Sequence, residues 1–161
     1  MMIQVGDRLP TVTLRRMGNE GIEAVTTDDF FGGRRVALIG VPGAFTPSCS
    51  AQHLPGYVEQ ADALKAKGVD EVACVAVNDP FVMAEWAKAK GADGKVTLLS
   101  DGNGDFAEAT GLAFDGSGIG LGTRLKRFAM VVDDGRVSSL RVEDDPAAVE
   151  VTAAEKLMAD L

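Results

Sequence analysis

The sequence predicts an α/β protein with one mixed central sheet, helices on both of its faces and an N-terminal β-ribbon. Three observations predict it. Residues 36–40, 71–77 and 96–99 are short, nearly unbroken apolar runs, the pattern of strands covered on both faces. Residues 49–67 and 81–90, which separate them, repeat apolar side chains at spacings of three and four, as helices with one inward face do. Near the end of the chain, Asp133-Asp134-Gly135 divides two further strand-like runs, 128–132 and 136–142, and Asp-Gly is a strong signal for a tight antiparallel hairpin. Right-handed parallel crossovers closed by such a hairpin give a mixed sheet. A chain of 161 residues is expected to form a single domain, residues 1–161, with a real hydrophobic core.

Taken in order, residues 11–15 and 22–26 alternate well enough to pair as a ribbon joined through Met17-Gly18-Asn19-Glu20-Gly21. Thr27-Asp28-Asp29 caps a helical turn that stops at Gly32-Gly33. The run 36–40 is a central strand. It leads through a Pro/Gly-rich turn into the 49–67 helix, whose inward face is Leu54, Val58, Ala61 and Leu64. Pro55-Gly56 should kink that helix, and Gly68 stops it. After the 71–77 strand, Asn78-Asp79-Pro80 caps the 81–90 helix, with proline near the first helical position. The 96–99 strand enters the loop 100–105 and a short helix ending near Thr110-Gly111. A flexible segment, 115–123, follows, with glycine in every second place from Gly116 to Gly122. Beyond the hairpin, Asp145-Pro146 opens a terminal helix that runs to the C-terminus. This order is that of a thioredoxin-like fold, which places Cys49 at the start of the first core helix and at the exposed end of a central strand.

Composition narrows the function. A net charge of −8 argues against nucleic-acid phosphates or an anionic membrane surface as partners. No apolar run approaches the ~20 residues of a membrane span, and the first residues lack a signal-peptide core, so a cytoplasmic location is expected. Two cysteines in a chain of this length do not form a disulfide framework.

The chemistry centres on residues 40–53. A strand delivers Cys49 to a helix start, where orphan N–H groups and the helix dipole favour an anion, so the thiolate is expected to be stabilised relative to the thiol. The alternative is a small inert residue at a buried junction. Thr46, three residues earlier, is placed either to cap the helix or to bond the sulfur, and Pro42 and Pro47 stiffen the turn. Nothing basic lies between residues 36 and 52, so a cationic partner must come from elsewhere. His53 stands one helical turn after Cys49 on the same face. A Cys-His hydrolase dyad usually draws its base from a distant element, so His53 reads as a supporting hydrogen-bond group or a surface histidine. Cys74, in mid-strand, reads as buried and inert.

The segment V-P-G-A-F-T-P-S-C-S-x-x-H-L-P-G at 41–56, V-N-D at 77–79 followed by Trp86, and R-L-K-R-F-A-M-V-V-D-D-G at 124–135 resemble the peroxiredoxins, in particular the atypical type II group related to peroxiredoxin 5. The motifs span nearly the whole chain in the right order. The resemblance implies a thiol peroxidase acting on hydrogen peroxide and small organic hydroperoxides, with Cys49 as nucleophile and Thr46 bonding thiolate and peroxide. It implies that Pro42 shields the sulfur, that Gly43, Phe45 and His53 support the substrate, and that Arg127 is the guanidinium favouring the thiolate, with Arg124 and Lys126 as competitors. It implies a homodimer, with Ile119 and Leu121 as contact or pocket candidates. Relatives that resolve themselves carry a cysteine near the C-terminus, and residues 141–161 contain none. An external thiol, glutathione with glutaredoxin or thioredoxin, is therefore expected, and replacement of Cys74 by Ser should leave turnover intact. No metal or organic cofactor is implied, because sulfur carries both electrons.

Three patterns are set aside as nucleotide, metal or ligand motifs, the glycine run reading instead as a close-approach loop that in the resembling family borders the pocket and the dimer contact. The 116–122 glycines fit neither the G-x-G-x-x-G fingerprint nor the phosphate-binding P-loop. Asp101-Gly102-Asn103-Gly104-Asp105 begins like a calcium loop, but Phe106 and Leu112 stand where its glycine and glutamate belong. Trp86 reads as core. Two other classes share the features: a thiol-disulfide oxidoreductase, although Thr46 replaces the first cysteine of C-x-x-C, and a non-catalytic redox sensor or holdase.

Overall fold

The structure, a computed structural model, describes residues Met1–Leu161. The ribbon is β1 (Thr13–Gly18) and β2 (Gly21–Thr26), paired from Thr13 opposite Thr26 to Gly18 opposite Gly21. It runs further into the turn than the alternation indicates, because Gly21 adopts a φ of +114° that lets the strands close through two residues. Helix α1 (Thr27–Phe31) is capped by the hydroxyl of Thr26, which accepts the Asp29 N–H.

Strand β3 (Arg35–Gly40) leads to a helix that begins at Pro47, passes through a π-turn at Cys49–His53 and continues as α2 (Leu54–Ala66). Then come β4 (Glu71–Ala76), α3 (Pro80–Ala89), β5 (Thr97–Ser100) and α4 (Asp105–Thr110). The glycine-rich segment is a small hairpin, β6 (Ala113–Asp115) and β7 (Thr123–Leu125), closed by a 3₁₀ turn at Ser117–Ile119. The chain ends with β8 (Phe128–Asp133), β9 (Arg136–Val142) and α5 (Ala154–Met158).

Seven strands form one sheet in the order β2-β1-β5-β4-β3-β8-β9. β3, β4 and β5 are mutually parallel, and β8 runs antiparallel to β3. Alternation splits the strands between two cores. Ala37, Ile39, Val72, Cys74 and Ala76 face α2, α3 and α5, whereas Val36, Leu38, Ala73 and Val75 face α1 and α4. No helix is long and apolar enough to cross a membrane.

Two expectations need correction. The inward face of α2 is Leu54, Tyr57, Ala61 and Leu64, with Val58 only partly buried. Tyr57 can be buried because its hydroxyl donates to the Thr152 carbonyl at 2.8 Å. The terminal helix does not start at Asp145-Pro146. Asp145 instead turns the chain by accepting the Ala147 N–H, and residues 144–153 are irregular. The carbonyls of Pro146, Ala147 and Thr152 accept from side chains of the site, while Ala148 N–H closes a local turn onto the Asp145 carbonyl at 2.9 Å.

Candidate active site

The helix that carries Cys49 opens with Pro47 at its first position, and Thr46 precedes it with its carbonyl accepting the Ser50 N–H. The helix then widens. Leu54 N–H bonds to the Cys49 carbonyl, five residues back. This π-turn lies directly before Pro55, whose ring would otherwise press on the carbonyl four residues earlier. The expected kink is thus taken up as a widened turn, and the residues on it are Cys49 to His53.

Across the sheet, Gly40 is paired with Phe128 in the β3–β8 register. Arg127 immediately precedes β8, so this pairing brings it beside a cysteine 78 residues away in sequence. Arg127 is the largest polar side chain in the interior, 1% exposed. Its Nη2 donates to Cys49 Sγ at 3.0 Å, its Nη1 to His53 Nδ1 at 2.9 Å and its Nε to the Pro146 carbonyl at 2.9 Å. Because Nδ1 accepts from a group that can only donate, the proton of His53 is on Nε2, which donates to the Thr152 carbonyl at 3.1 Å. Burial, then the adjacent Arg127 charge, lowers the His53 pKa to about 3, against a smaller opposing effect of the Thr152 bond. His53 is therefore a neutral acceptor for Arg127. It does not touch the sulfur and cannot serve as its base.

The Cys49 side chain is fully buried, not exposed at a strand end as the sequence indicated. The reason is that the irregular 144–153 segment folds back over the helix start: Ser48 Oγ donates to the Ala147 carbonyl at 2.6 Å, next to Pro146. Burial of a potential anion is sustained by the guanidinium beside it. Cavity size does not reveal this place. A cleft of about 680 Å³ lies elsewhere, among residues such as Arg16, Met17, Phe81 and Lys95.

The remaining expected residues divide. Thr46 Oγ1 donates to the Gly43 carbonyl at 2.7 Å, so its hydroxyl does not cap the helix and its lone pairs stay open. Pro42 is buried, and its carbonyl accepts Arg124 Nη1 at 3.2 Å. Arg124 does not reach the sulfur; its guanidinium ties this turn to Leu121, whose carbonyl accepts Nε at 2.8 Å. Gly43 sits beneath that guanidinium, where a Cβ would stand 2.6 Å from Nη1. Lys126 is half-buried and outside the cluster. Phe45 takes a φ of +64° and turns its ring outward, 6.5 Å from that of Trp86. Ile119 is 78% exposed on the β6–β7 hairpin, with Leu121 half-buried beside it.

Several site residues escaped the sequence reading. Asn78 Oδ1 accepts the Ala44 N–H at 2.9 Å and pins the turn before Thr46. Ser50 accepts the indole N–H of buried Trp86 at 2.9 Å. Tyr57, Glu143 and Thr152 complete the cluster around Arg127. Asn78 lies in the V-N-D segment and Ser50 in the 41–56 segment, but nothing in the sequence marks Tyr57, Glu143 or Thr152. The calcium-like loop has a structural use instead, since Asp101 accepts the Phe106 and Ala107 N–H groups and caps α4. Cys74 is buried on β4 in the same core layer as Cys49; desolvation, and secondarily Cys49, pushes its thiol well above the ordinary range.

Comparison with known proteins adds a family to this geometry. A model of the Redoxin family matches residues 4–158. Peroxiredoxin-2E, chloroplastic, of Arabidopsis thaliana is 42% identical over 161 residues, covering 98% of this chain and 69% of that protein. The crystal structure of reduced Prx3 from Vibrio vulnificus in complex with hydrogen peroxide superposes with a TM-score of 0.93 at 46% identity, covering 98% of each chain. Peroxiredoxin 5 from Alvinella pompejana superposes with a TM-score of 0.86 at 34% identity, covering 98% of this chain and 97% of that one. A family match along almost the entire thioredoxin-like domain, with relatives of this identity, establishes that the chain belongs to the redoxin family as a peroxiredoxin, an enzyme that reduces hydroperoxides with thiols.

Proposed function

We propose that Cys49 is the peroxidatic nucleophile and that Arg127 and Thr46 hold the peroxide against it. The observation that carries this reading is the 3.0 Å contact from Arg127 Nη2 to Cys49 Sγ. A guanidinium N–H aimed at the sulfur stabilises the thiolate, and it also faces the charge that grows on the oxygens as the O–O bond lengthens. The thiolate attacks one peroxide oxygen. An S–O bond forms, the O–O bond breaks, and the other oxygen leaves as water or an alcohol once it takes a proton. The proton of Thr46 is held by Gly43, so its oxygen accepts the peroxide O–H. Pro42 shields the sulfur, and Gly43, Phe45 and His53 shape the surroundings. Since Cys49 is sealed, the peroxide enters when the turns around it move aside.

The resulting sulfenic acid is attacked by a donor thiol, which releases water and leaves a mixed disulfide. A second thiol then restores Cys49. We assign the donor to an external thiol, glutathione with glutaredoxin or thioredoxin, because Cys74 is locked in a central strand. The same reading includes a cytoplasmic homodimer, with Ile119, Leu121 and outward-turned Phe45 as the contact face.

Stopped-flow mixing of reduced protein with hydrogen peroxide tests the assignment. Stoichiometric, rapid loss of peroxide that disappears in Cys49→Ser is expected; undiminished consumption by that variant would refute it. Turnover of Cys74→Ala with a panel of donor thiols separates external from internal resolution: retained turnover is expected, and its abolition would make Cys74 the resolving residue.

A further inference from the structure

Glu143 is a buried carboxylate that the mechanism above does not use. One of its oxygens, Oε2, accepts three bonds, from Glu150 N at 2.8 Å, Thr152 N at 2.9 Å and Thr152 Oγ1 at 2.7 Å. Its own N–H donates to the Arg127 carbonyl at 3.0 Å. The carboxylate thus gathers the 144–153 segment, and that segment presents two carbonyls to the site. Pro146 accepts Arg127 Nε; Thr152 accepts both His53 Nε2–H and the Tyr57 hydroxyl. Arg127 points three nitrogens at sulfur, His53 and Pro146, and the last two partners are both fixed through this segment.

We propose that Glu143 is a positioning residue for the peroxide reaction: its carboxylate locks the 144–153 segment so that Pro146 and His53 aim the Arg127 guanidinium at Cys49. The inference rests on the reading of Cys49 and Arg127 given above. A long, flexible side chain delivers a directed N–H only if its other donors are held, and a segment without regular structure, anchored here through buried Thr152, has no backbone ladder to hold it. Loss of the carboxylate would leave the N–H and hydroxyl of Thr152 unpaired in the interior and release the Glu150 N–H, so the segment must shift to satisfy them. Both restraints on Arg127 shift with it. A glutamine can substitute, because all three donors converge on a single oxygen that an amide also possesses.

The test measures the second-order rate of peroxide consumption by reduced Glu143→Ala, Glu143→Gln, Arg127→Gln, the Glu143→Ala/Arg127→Gln double variant and Cys49→Ser, each shown to be folded by near-ultraviolet circular dichroism. Glu143→Ala is expected to be slower by about 10- to 100-fold, the effect of misdirecting one charge-assisted hydrogen bond to the reacting atoms. Glu143→Gln should stay within about threefold of the parent, since the bonds are weakened but not lost. In the Arg127→Gln background the alanine substitution should add less than about threefold, because it acts through the missing guanidinium. A parental rate in folded Glu143→Ala, equal losses in the alanine and glutamine variants, or full additivity with Arg127→Gln would overturn the inference. Should Glu143→Ala not fold, Thr152→Val takes its place in the cycle. A loss confined to the Arg127-containing background supports the proposal, and an additive or absent loss overturns it. Peroxide consumption by Cys49→Ser, or a parental rate in Arg127→Gln, would overturn the parent reading and this inference together; additive losses with inactive Cys49→Ser overturn this inference alone.

Discussion

At the scale of single residues, the site is a contest over where the donors of one guanidinium go. Arg127 is fixed by a sulfur, an imidazole nitrogen and a carbonyl, and an ammonium on a flexible stem cannot meet that fork. A hydrogen bond to a charged group contributes about 1.5–3 kcal/mol. Arg127→Lys should therefore slow peroxide reduction by roughly 10- to 100-fold in stopped-flow measurements. His53 gives a pH signature. Its pKa in the fold is about 3, below the ordinary histidine value of 6.5, so the unfolded chain binds a proton that the native state refuses. The stabilising contribution is complete above pH ~6.5 and declines as pH falls toward 3. Denaturant titrations should show the parent protein losing about 2 kcal/mol more than His53→Gln between pH 7 and pH 5. Identical pH slopes for the two would rule out a neutral buried imidazole.

Elements show where local preference yields to the site. Asp145-Pro146 has the chemistry of a helix start, yet α5 begins only at Ala154. The intervening carbonyls of Pro146, Ala147 and Thr152 bond to Arg127, Ser48, His53 and Tyr57. A helix through these positions would need most of the same groups for its own ladder. Pro55, which sequence reading treats as a kink, is accommodated by the π-turn that also carries Cys49. Helix α4 illustrates the opposite case, a short element that depends on one cap. Gly104 at its N-cap has no side chain, and Asp101 supplies the acceptor for two N–H groups. Replacement of Asp101 by Ala should destabilise the protein by about 1–2 kcal/mol and raise amide exchange at Phe106 and Ala107. Unchanged protection there would show that the cap is dispensable.

For the molecule as a whole, the register between β3 and β8 decides whether there is a site at all. Gly40 lies opposite Phe128, and a Cβ at Gly40 would stand 1.9 Å from the phenyl ring. The strand that ends in the cysteine turn and the strand that starts after Arg127 approach this closely because one member of the pair is glycine. Gly40→Ala must displace the ring or the strand, and overpacking of this kind costs about 1–3 kcal/mol. Denaturation and peroxide kinetics together should show lowered stability and a lowered rate. A rate equal to the parent's would mean that the Cys49–Arg127 geometry does not depend on this pairing.

The sequence by itself determined the layered α/β architecture, the strand-to-helix delivery of Cys49 and, through its motifs, the peroxiredoxin resemblance. Apolar periodicity and turn chemistry are local, so they can be read along the chain. Arg127 was legible only through that resemblance, since nothing in its own neighbourhood separates it from Arg124 or Lys126. Tertiary structure alone decided that Cys49 is sealed, that His53 is a neutral acceptor and that residues 144–153 forgo a helix. Each of these follows from hydrogen bonds between groups far apart in the chain, and burial makes them compulsory: in the interior an unpaired donor has no water to turn to.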